Sequence, residues 1–155
     1  MKSHQTRLGR ILAAGIALAA AAGLSACSPI TTKVQYAASD GVRVALSDTV
    51  TVQNLLIVSA AEGEPGALQG GVVNNGAQDE TVTIGAVTVQ VAAGQTVLMG
   101  GTAGEEVVLP TVAAAPGANL TLPVAVVGGA SEDVFVPVLD GTLSEYADLV
   151  PTAAG

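Results

Sequence analysis

The stretch NLTLPVAVVGGASEDVFVPVL, residues 119–139, decides the fold of this chain. Apolar residues occupy every second position on both sides of the turn sequence GGASED, residues 128–133. They are Leu120, Leu122, Val124 and Val126 before the turn, and Val134, Val136 and Val138 after it. A period of two places one set of side chains in a core and the other in solvent. Two such runs separated by glycines predict a β-hairpin.

The same alternation recurs between residues 41 and 109. Turn sequences separate the apolar runs: NNGAQDE at 74–80, AAGQ at 92–95, GGTAGEE at 100–106 and APGAN at 115–119. Strands are predicted near 41–46, 50–60, 67–74, 80–91 (as one long or two short strands), 95–99, 106–109, 118–127 and 133–139. The pairs Gly70-Gly71, Gly100-Gly101 and Gly128-Gly129 lack phosphate-loop spacing and are interpreted as hairpin turns. We predict an all-β fold: a single immunoglobulin-like antiparallel β-sandwich of about seven strands, over residues 39–155.

The last segment, GTLSEYADLVP at 141–151, has a different pattern. Thr142 and Glu145 stand at the spacing of a capping box. Leu143, Tyr146 and Leu149 recur every three residues, as on one face of a helix. We predict a short helical turn that caps one end of the sandwich.

The amino terminus has the features of an export signal. Lys2, Arg7 and Arg10 precede ILAAGIALAAAAG, thirteen apolar or small residues at 11–23. A charged region followed by a short apolar region is typical of a secretory signal peptide. A transmembrane helix needs about 20 apolar residues, so a permanent span is the weaker interpretation. Residues 1–26 are therefore predicted to be a cleaved signal peptide.

The four residues after the apolar run, Leu24, Ser25, Ala26 and Cys27, resemble a bacterial lipobox. The resemblance implies that the Cys27 thiol receives a diacylglyceryl group, that the signal is cut before Cys27, and that the new amino terminus is acylated as well. Two acyl chains hold a protein stably at a membrane, whereas one holds it only marginally. Residues 27–38 are then the lipidated cysteine and a tether to the domain.

Removal of residues 1–26 leaves a strongly acidic chain. Lys33 and Arg43 are its two basic residues against thirteen acidic ones, a formal charge of −11. Such a surface repels nucleic acid phosphates and anionic lipid headgroups. Nucleic acid binding and a polybasic membrane patch are therefore not expected, and the membrane is reached through the lipid anchor.

The side chains after residue 26 offer little for catalysis. They include no histidine, no tryptophan and a single methionine, Met99, and the only thiol is the one assigned to lipid. A serine nucleophile would lack a histidine base, and soft or imidazole metal ligands are missing. No catalytic residue, metal site or cofactor is predicted. An alternative remains: a carboxylate-based hydrolase or calcium-binding protein that uses the acidic turns, namely Asp79-Glu80, Glu105-Glu106 and Glu132-Asp133.

Three stretches carry a resemblance to a family. The lipobox followed by SPITTKVQYAASDGV (28–42), then GGVVNNG (70–76) and EDVFVPVLDGTLSEYADLVP (132–151), resembles the actinobacterial LpqE-type lipoproteins, small envelope proteins of unassigned function. The final VPV strand is also similar to periplasmic copper chaperones at the level of fold alone. Those proteins bind copper through methionine and histidine. Met99 has no such partner, so copper transfer is disfavoured.

These observations predict the cellular location of the protein in more detail than its ligand. We expect a lipid-anchored envelope lipoprotein on the outer, extracytoplasmic face of the cytoplasmic membrane. We expect a non-enzymatic binding or scaffolding module with an envelope protein as candidate partner.

Overall fold

The computed structural model describes residues 39–152, which form nine strands and one short helix. The strands are β1 (Val42–Ala45), β2 (Val50–Ser59), β3 (Gly66–Asn74), β4 (Glu80–Ile84), β5 (Val87–Val91), β6 (Thr96–Met99), β7 (Val107–Leu109), β8 (Asn119–Val126) and β9 (Ser131–Leu139), and the helix is α1 (Ser144–Ala147). The all-β prediction is confirmed. Residues 80–91 form two strands because Gly85, with φ +57°, permits a tight turn between them.

Two sheets are joined through β9. Strands β5, β4, β8 and β9 follow one another in antiparallel order, and β9 then pairs with β2, which continues to β3 and β6. Strand β1 adds to β2, and β7 adds to β3. The β2–β9 pair is parallel, with Ile57 opposite Val138, which departs from the fully antiparallel prediction. Hairpin turns force neighbouring strands to be antiparallel, but β2 and β9 are joined by a long connection that imposes no such constraint.

The hydrophobic core lies between the two sheets and consists mainly of the alternating aliphatic residues. Its fully buried members include Val52, Leu55, Ile57, Leu68, Val72, Val82, Ile84, Val124, Val136 and Val138. Burial of one such side chain contributes about 1.5–3 kcal/mol relative to exposure. The inward positions of β9 and Val124 of β8 belong to this cluster. Leu120, Leu122 and Val126 are partly buried against it, as the alternation in residues 119–139 predicts.

Asn74 is a buried polar residue that ties three segments together. Its side-chain nitrogen donates to the carbonyl of Gln78 at 2.7 Å and to the carbonyls of Val91 and Ala92 at 3.3 Å. Its side-chain oxygen accepts from the Gly76 N–H at 2.8 Å. The end of β3, the turn before β4 and the end of β5 are therefore fixed to one carboxamide.

The outer face of β2 and β3 is also covered. Leu56, Val58, Ala67 and Gln69 alternate with the core positions of these strands, yet each is less than a tenth exposed. The 100–106 segment and the residues of and after α1 line the cavities above this face. The protein therefore has a second, smaller packed layer on the outside of one sheet.

The predicted C-terminal helical turn is present as α1, but the capping box is wrong. Leu143 occupies the N-cap position and makes no side-chain cap. The Thr142 N–H instead donates to the Asp140 carboxylate at 2.9 Å. Hydrogen bonds from Thr142 also hold the pKa of Asp140 below its usual value. Asp140 thus forms an Asx turn with the residue two positions on, Thr142. The N-cap is therefore Leu143, one residue later than the capping-box spacing predicts.

The predicted signal peptide (1–26) and the lipidated cysteine with its tether (27–38) lie outside the described residues. Within residues 39–152, no helix is both long enough and apolar enough to cross a membrane.

Candidate functional site

The predicted lipidation site is not part of the described structure. Leu24, Ser25, Ala26 and Cys27 all precede residue 39. Lipidation of Cys27 therefore stays a prediction from the lipobox.

The three acidic pairs of the calcium alternative lie on different elements of the fold. Asp79 and Glu80 lie at the start of β4, Glu105 and Glu106 precede β7, and Glu132-Asp133 belongs to β9, not to the turn before it. Asp79 accepts a 2.9 Å hydrogen bond from the Ala93 N–H, which ties two loops together. In the described part of the chain, no three histidine, cysteine or acidic side chains are grouped so that they could hold a metal ion. The calcium alternative gains no support from residues 39–152.

Met99 has a structural position. Its side chain is 2% exposed and belongs to the hydrophobic core. Residues 39–152 contain no histidine and no second methionine that could join Met99 as a copper ligand.

The glycine pair Gly70-Gly71 corrects one sequence interpretation, because it lies inside β3 and not in a hairpin turn. The facing strand β2 bulges here: Gln53 pairs with Gly71, and Leu56 pairs with Gln69, so two residues of β2 oppose Gly70 alone. A Cβ on Gly70 would lie 2.7 Å from the carbonyl oxygen of Gln53. Gly70 also has φ +138°. Only glycine fits this close approach of two backbones.

The bulge also holds Asn54 in a left-handed conformation, with φ +52°. Asparagine tolerates this region better than most residues. Its side-chain oxygen accepts a 2.9 Å hydrogen bond from the Gly41 N–H, just before β1. The bulge is thus held from outside the β2–β3 pair.

A groove of about 420 Å³ runs along the outer face of β3 at this bulge. Its floor has no side chain at Gly70 and Gly71. Residues of the bulge, of β6 and the turn after it, and of α1 also line the groove. The lining residues are Gln53, Asn54, Leu56, Gln69, Gly70, Gly71, Val73, Thr96, Leu98, Met99, Gly100, Gly101, Thr102, Ala103 and Tyr146. None of them is charged at neutral pH.

Gln69 is the most buried polar residue among those that line the groove. It is 7% exposed, and its side chain packs against Gly100. Among residues 39–152 its carboxamide has no hydrogen-bond partner. No polar side-chain atom in this part of the chain is both fully buried and unpaired. The Gln69 carboxamide therefore opens onto the groove with unused donors and acceptors.

A second cavity of about 240 Å³ adjoins the groove. Gln69, Gly100 and Gly101 line both spaces. The second cavity also has two acidic lining residues, Glu106 and Asp148. Gln69 therefore stands between an uncharged space and an acidic one.

Tyr146 fixes α1 at the rim of the groove. Its hydroxyl donates a 2.5 Å hydrogen bond to the Asp40 carboxylate. This bond, assisted by partial burial and by the negative charges of Asp40 and Glu145, raises the pKa of Tyr146 to about 12. Tyr146 is therefore neutral near pH 7, and its hydroxyl proton is engaged by Asp40.

The groups that line the groove suit binding. Carboxamides and hydroxyls donate and accept hydrogen bonds without carrying a charge near neutral pH. Sequence reasoning missed Gln69, Gly71 and Leu98 as site residues. A signal was present: a glutamine followed by two glycines interrupts a strand that is otherwise apolar.

No protein-family model matches the chain, and no curated protein matches it. The resemblance to LpqE-type lipoproteins therefore stays a prediction from the quoted sequence stretches.

Proposed function

We propose that the protein is a lipid-anchored, non-enzymatic binding module on the outer face of the cytoplasmic membrane, and that its groove receives a segment of an envelope protein. The observation that carries this proposal is an uncharged groove lined by Gln69, a residue that is 7% exposed and whose carboxamide has no hydrogen-bond partner among residues 39–152.

The energetics of Gln69 favour a ligand. A hydrogen bond between protein and ligand replaces one to water, and contributes a net of about 0.5–1.5 kcal/mol. A partner that supplies one donor and one acceptor to the Gln69 carboxamide gains this contribution and restricts its own orientation. The apolar side chains of Val73, which is half-buried, and Leu98, which is exposed, line the same groove and offer contact area beside it.

The charge distribution also distinguishes the groove. The chain after residue 26 has a formal charge of −11, yet the groove lining is uncharged. Charged residues are depleted at the centres of protein interfaces, where their desolvation is costly. An uncharged groove within an acidic surface fits a binding site for a protein segment.

The anchor follows from the lipobox. Acyl chains on Cys27 would hold the domain at the membrane through a tether of at most about 3.3–3.6 Å per residue. Partners in reach would then be proteins of the same envelope. This restriction raises the local concentration of a weak ligand without further contacts.

Site-specific photocrosslinking in cells tests the groove. A benzoylphenylalanine is placed at Leu98, which is 47% exposed and lines the groove, or at Phe135, which is 67% exposed on the outside of the other sheet. We expect discrete crosslinked bands from position 98 and none from position 135. Addition of Gly71→Leu, which fills the groove floor, removes those bands. Equal crosslinking from both positions, or bands that persist with Gly71→Leu, would contradict the proposal.

A further inference from the structure

The two adjoining cavities point to the kind of segment that binds, an inference that rests on the proposed function. We propose that they form one crevice for an extended peptide with a basic side chain at one end. The basic side chain lies by Glu106 and Asp148, and the uncharged remainder lies along the groove.

The shape of the crevice favours an extended chain over a compact ligand. The lining residues on β3 run from Ala67, in the acidic cavity, to Val73, in the groove. Six steps along a strand at roughly 3.3 Å each span about 20 Å. An extended peptide of about six residues has the same length.

The uncharged part has the groups that bind a peptide backbone. The side chains of Gln53, Asn54 and Gln69 carry carboxamides, which pair with backbone N–H and C=O groups. The Asn54 oxygen is already used by Gly41, whereas the Gln69 carboxamide has no partner among the described residues. Gln69 lines both cavities, so it lies where the middle of the peptide would pass.

The acidic end of the crevice favours a ligand with a positively charged side chain. Glu106 and Asp148 line the second cavity, and no lysine or arginine among residues 39–152 lines either cavity. Between residues 39 and 152, Arg43 is the only basic residue, and it lies on β1. A lysine or arginine from the ligand would therefore meet carboxylates that no basic lining residue neutralises.

Peptide titrations on the full 155-residue chain, purified in detergent micelles, test this inference. The probes are acetyl-Xaa-Thr-Val-Thr-Val-Gln-amide with lysine, glutamine or glutamate as Xaa. The readout is the side-chain NH₂ signals of Gln69 in ¹⁵N-labelled protein. We expect the lysine peptide to shift these signals and to bind about five-fold more tightly than the glutamate peptide, as expected of partly exposed charge pairs.

Three variants locate the peptide. Glu106→Gln with Asp148→Asn removes the preference for lysine and leaves binding of the glutamine peptide unchanged. Gly71→Leu blocks all three peptides, and Leu98→Asn, at an exposed position that a polar residue tolerates, weakens them. Thr121→Leu on the opposite sheet is the matched control and has no effect.

The outcomes separate this inference from the proposed function. Equal affinity for the three peptides, with block by Gly71→Leu, overturns the basic end and leaves the groove as a binding site. Binding that survives both Gly71→Leu and Leu98→Asn lies elsewhere and overturns the crevice. If no peptide binds at millimolar concentration, the inference fails, while groove-specific crosslinks in cells would still support the proposed function.

Discussion

The Tyr146 hydroxyl donates a 2.5 Å hydrogen bond to the Asp40 carboxylate across a sequence separation of 106 residues. Asp40 precedes β1, and Tyr146 lies on α1 and lines the groove. Gly41, which follows Asp40, donates its N–H to the side-chain oxygen of Asn54 in the β2 bulge. The start of the described chain, the bulge and the C-terminal helix therefore meet at the rim of the groove.

The Tyr146→Phe variant should lose this bond alone. We expect a decrease of about 0.5 kcal/mol in the free energy of unfolding near pH 8, at the low end for a hydrogen bond because the site is partly exposed. Folding raises the pKa of Tyr146 from 10.0 to about 12, so the neutral form is favoured in the folded state. This stabilisation is complete below pH 10 and is lost as the pH rises through 12.

Urea unfolding of Tyr146→Phe and wild type at several pH values measures this effect. The difference between the two proteins should be constant up to about pH 9 and shrink towards pH 12. All other titrating groups are shared, so they cancel in the comparison. A difference that is absent at pH 8 would contradict the hydrogen bond.

The adjacent glycines of β3 should respond differently to alanine. In Gly70→Ala the new Cβ lies 2.7 Å from the Gln53 carbonyl oxygen, and φ is +138°. We expect a loss of about 1–3 kcal/mol. In Gly71→Ala the nearest atom is the end of the Leu98 side chain at 3.2 Å, which can move. That variant should change stability by less than about 1 kcal/mol, and urea midpoints that rank the two in the opposite order would argue against the bulge.

Asn74 should be the least replaceable polar residue of the sandwich. Asn74→Ala leaves the Gln78 carbonyl and the Gly76 N–H without their partner. We expect a loss of about 1–3 kcal/mol in the free energy of unfolding. The matched control is Asn75→Ala at the next, exposed position, which should stay within about 0.5 kcal/mol of wild type. Equal effects in thermal unfolding would show that the Asn74 carboxamide is not the connection proposed.

Cys27→Ala should abolish processing and anchoring. Intact mass of the native protein is expected to show a chain that begins at Cys27 and carries a diacylglyceryl group. The variant should keep residues 1–26 and carry no lipid. Membrane fractionation of both proteins completes the test. A native chain that is unmodified and retains residues 1–26 would mean that the lipobox interpretation is wrong.

Local pattern predicted the strands well because each half-buried strand carries its own signal. The alternation at Leu120–Val126 and at Val134–Val138 fixes both the strands and their inward faces, and a short turn between them leaves only antiparallel pairing. The start of the helix was predicted less well. The spacing of Thr142 and Glu145 fits a capping box, but the Thr142 N–H bonds to the Asp140 carboxylate instead, and spacing alone does not show which contact forms.

The sequence by itself determined that residues 39–152 form an all-β sandwich, because alternation every two residues leaves the apolar side chains one face on which to be buried. Only the tertiary structure decided that β2 and β9 run parallel, that β2 bulges opposite Gly70, and that Gln69 lies between two cavities. These features depend on contacts between segments far apart in the chain. The energy of such contacts is set by how whole sheets pack, and no local stretch of sequence encodes it.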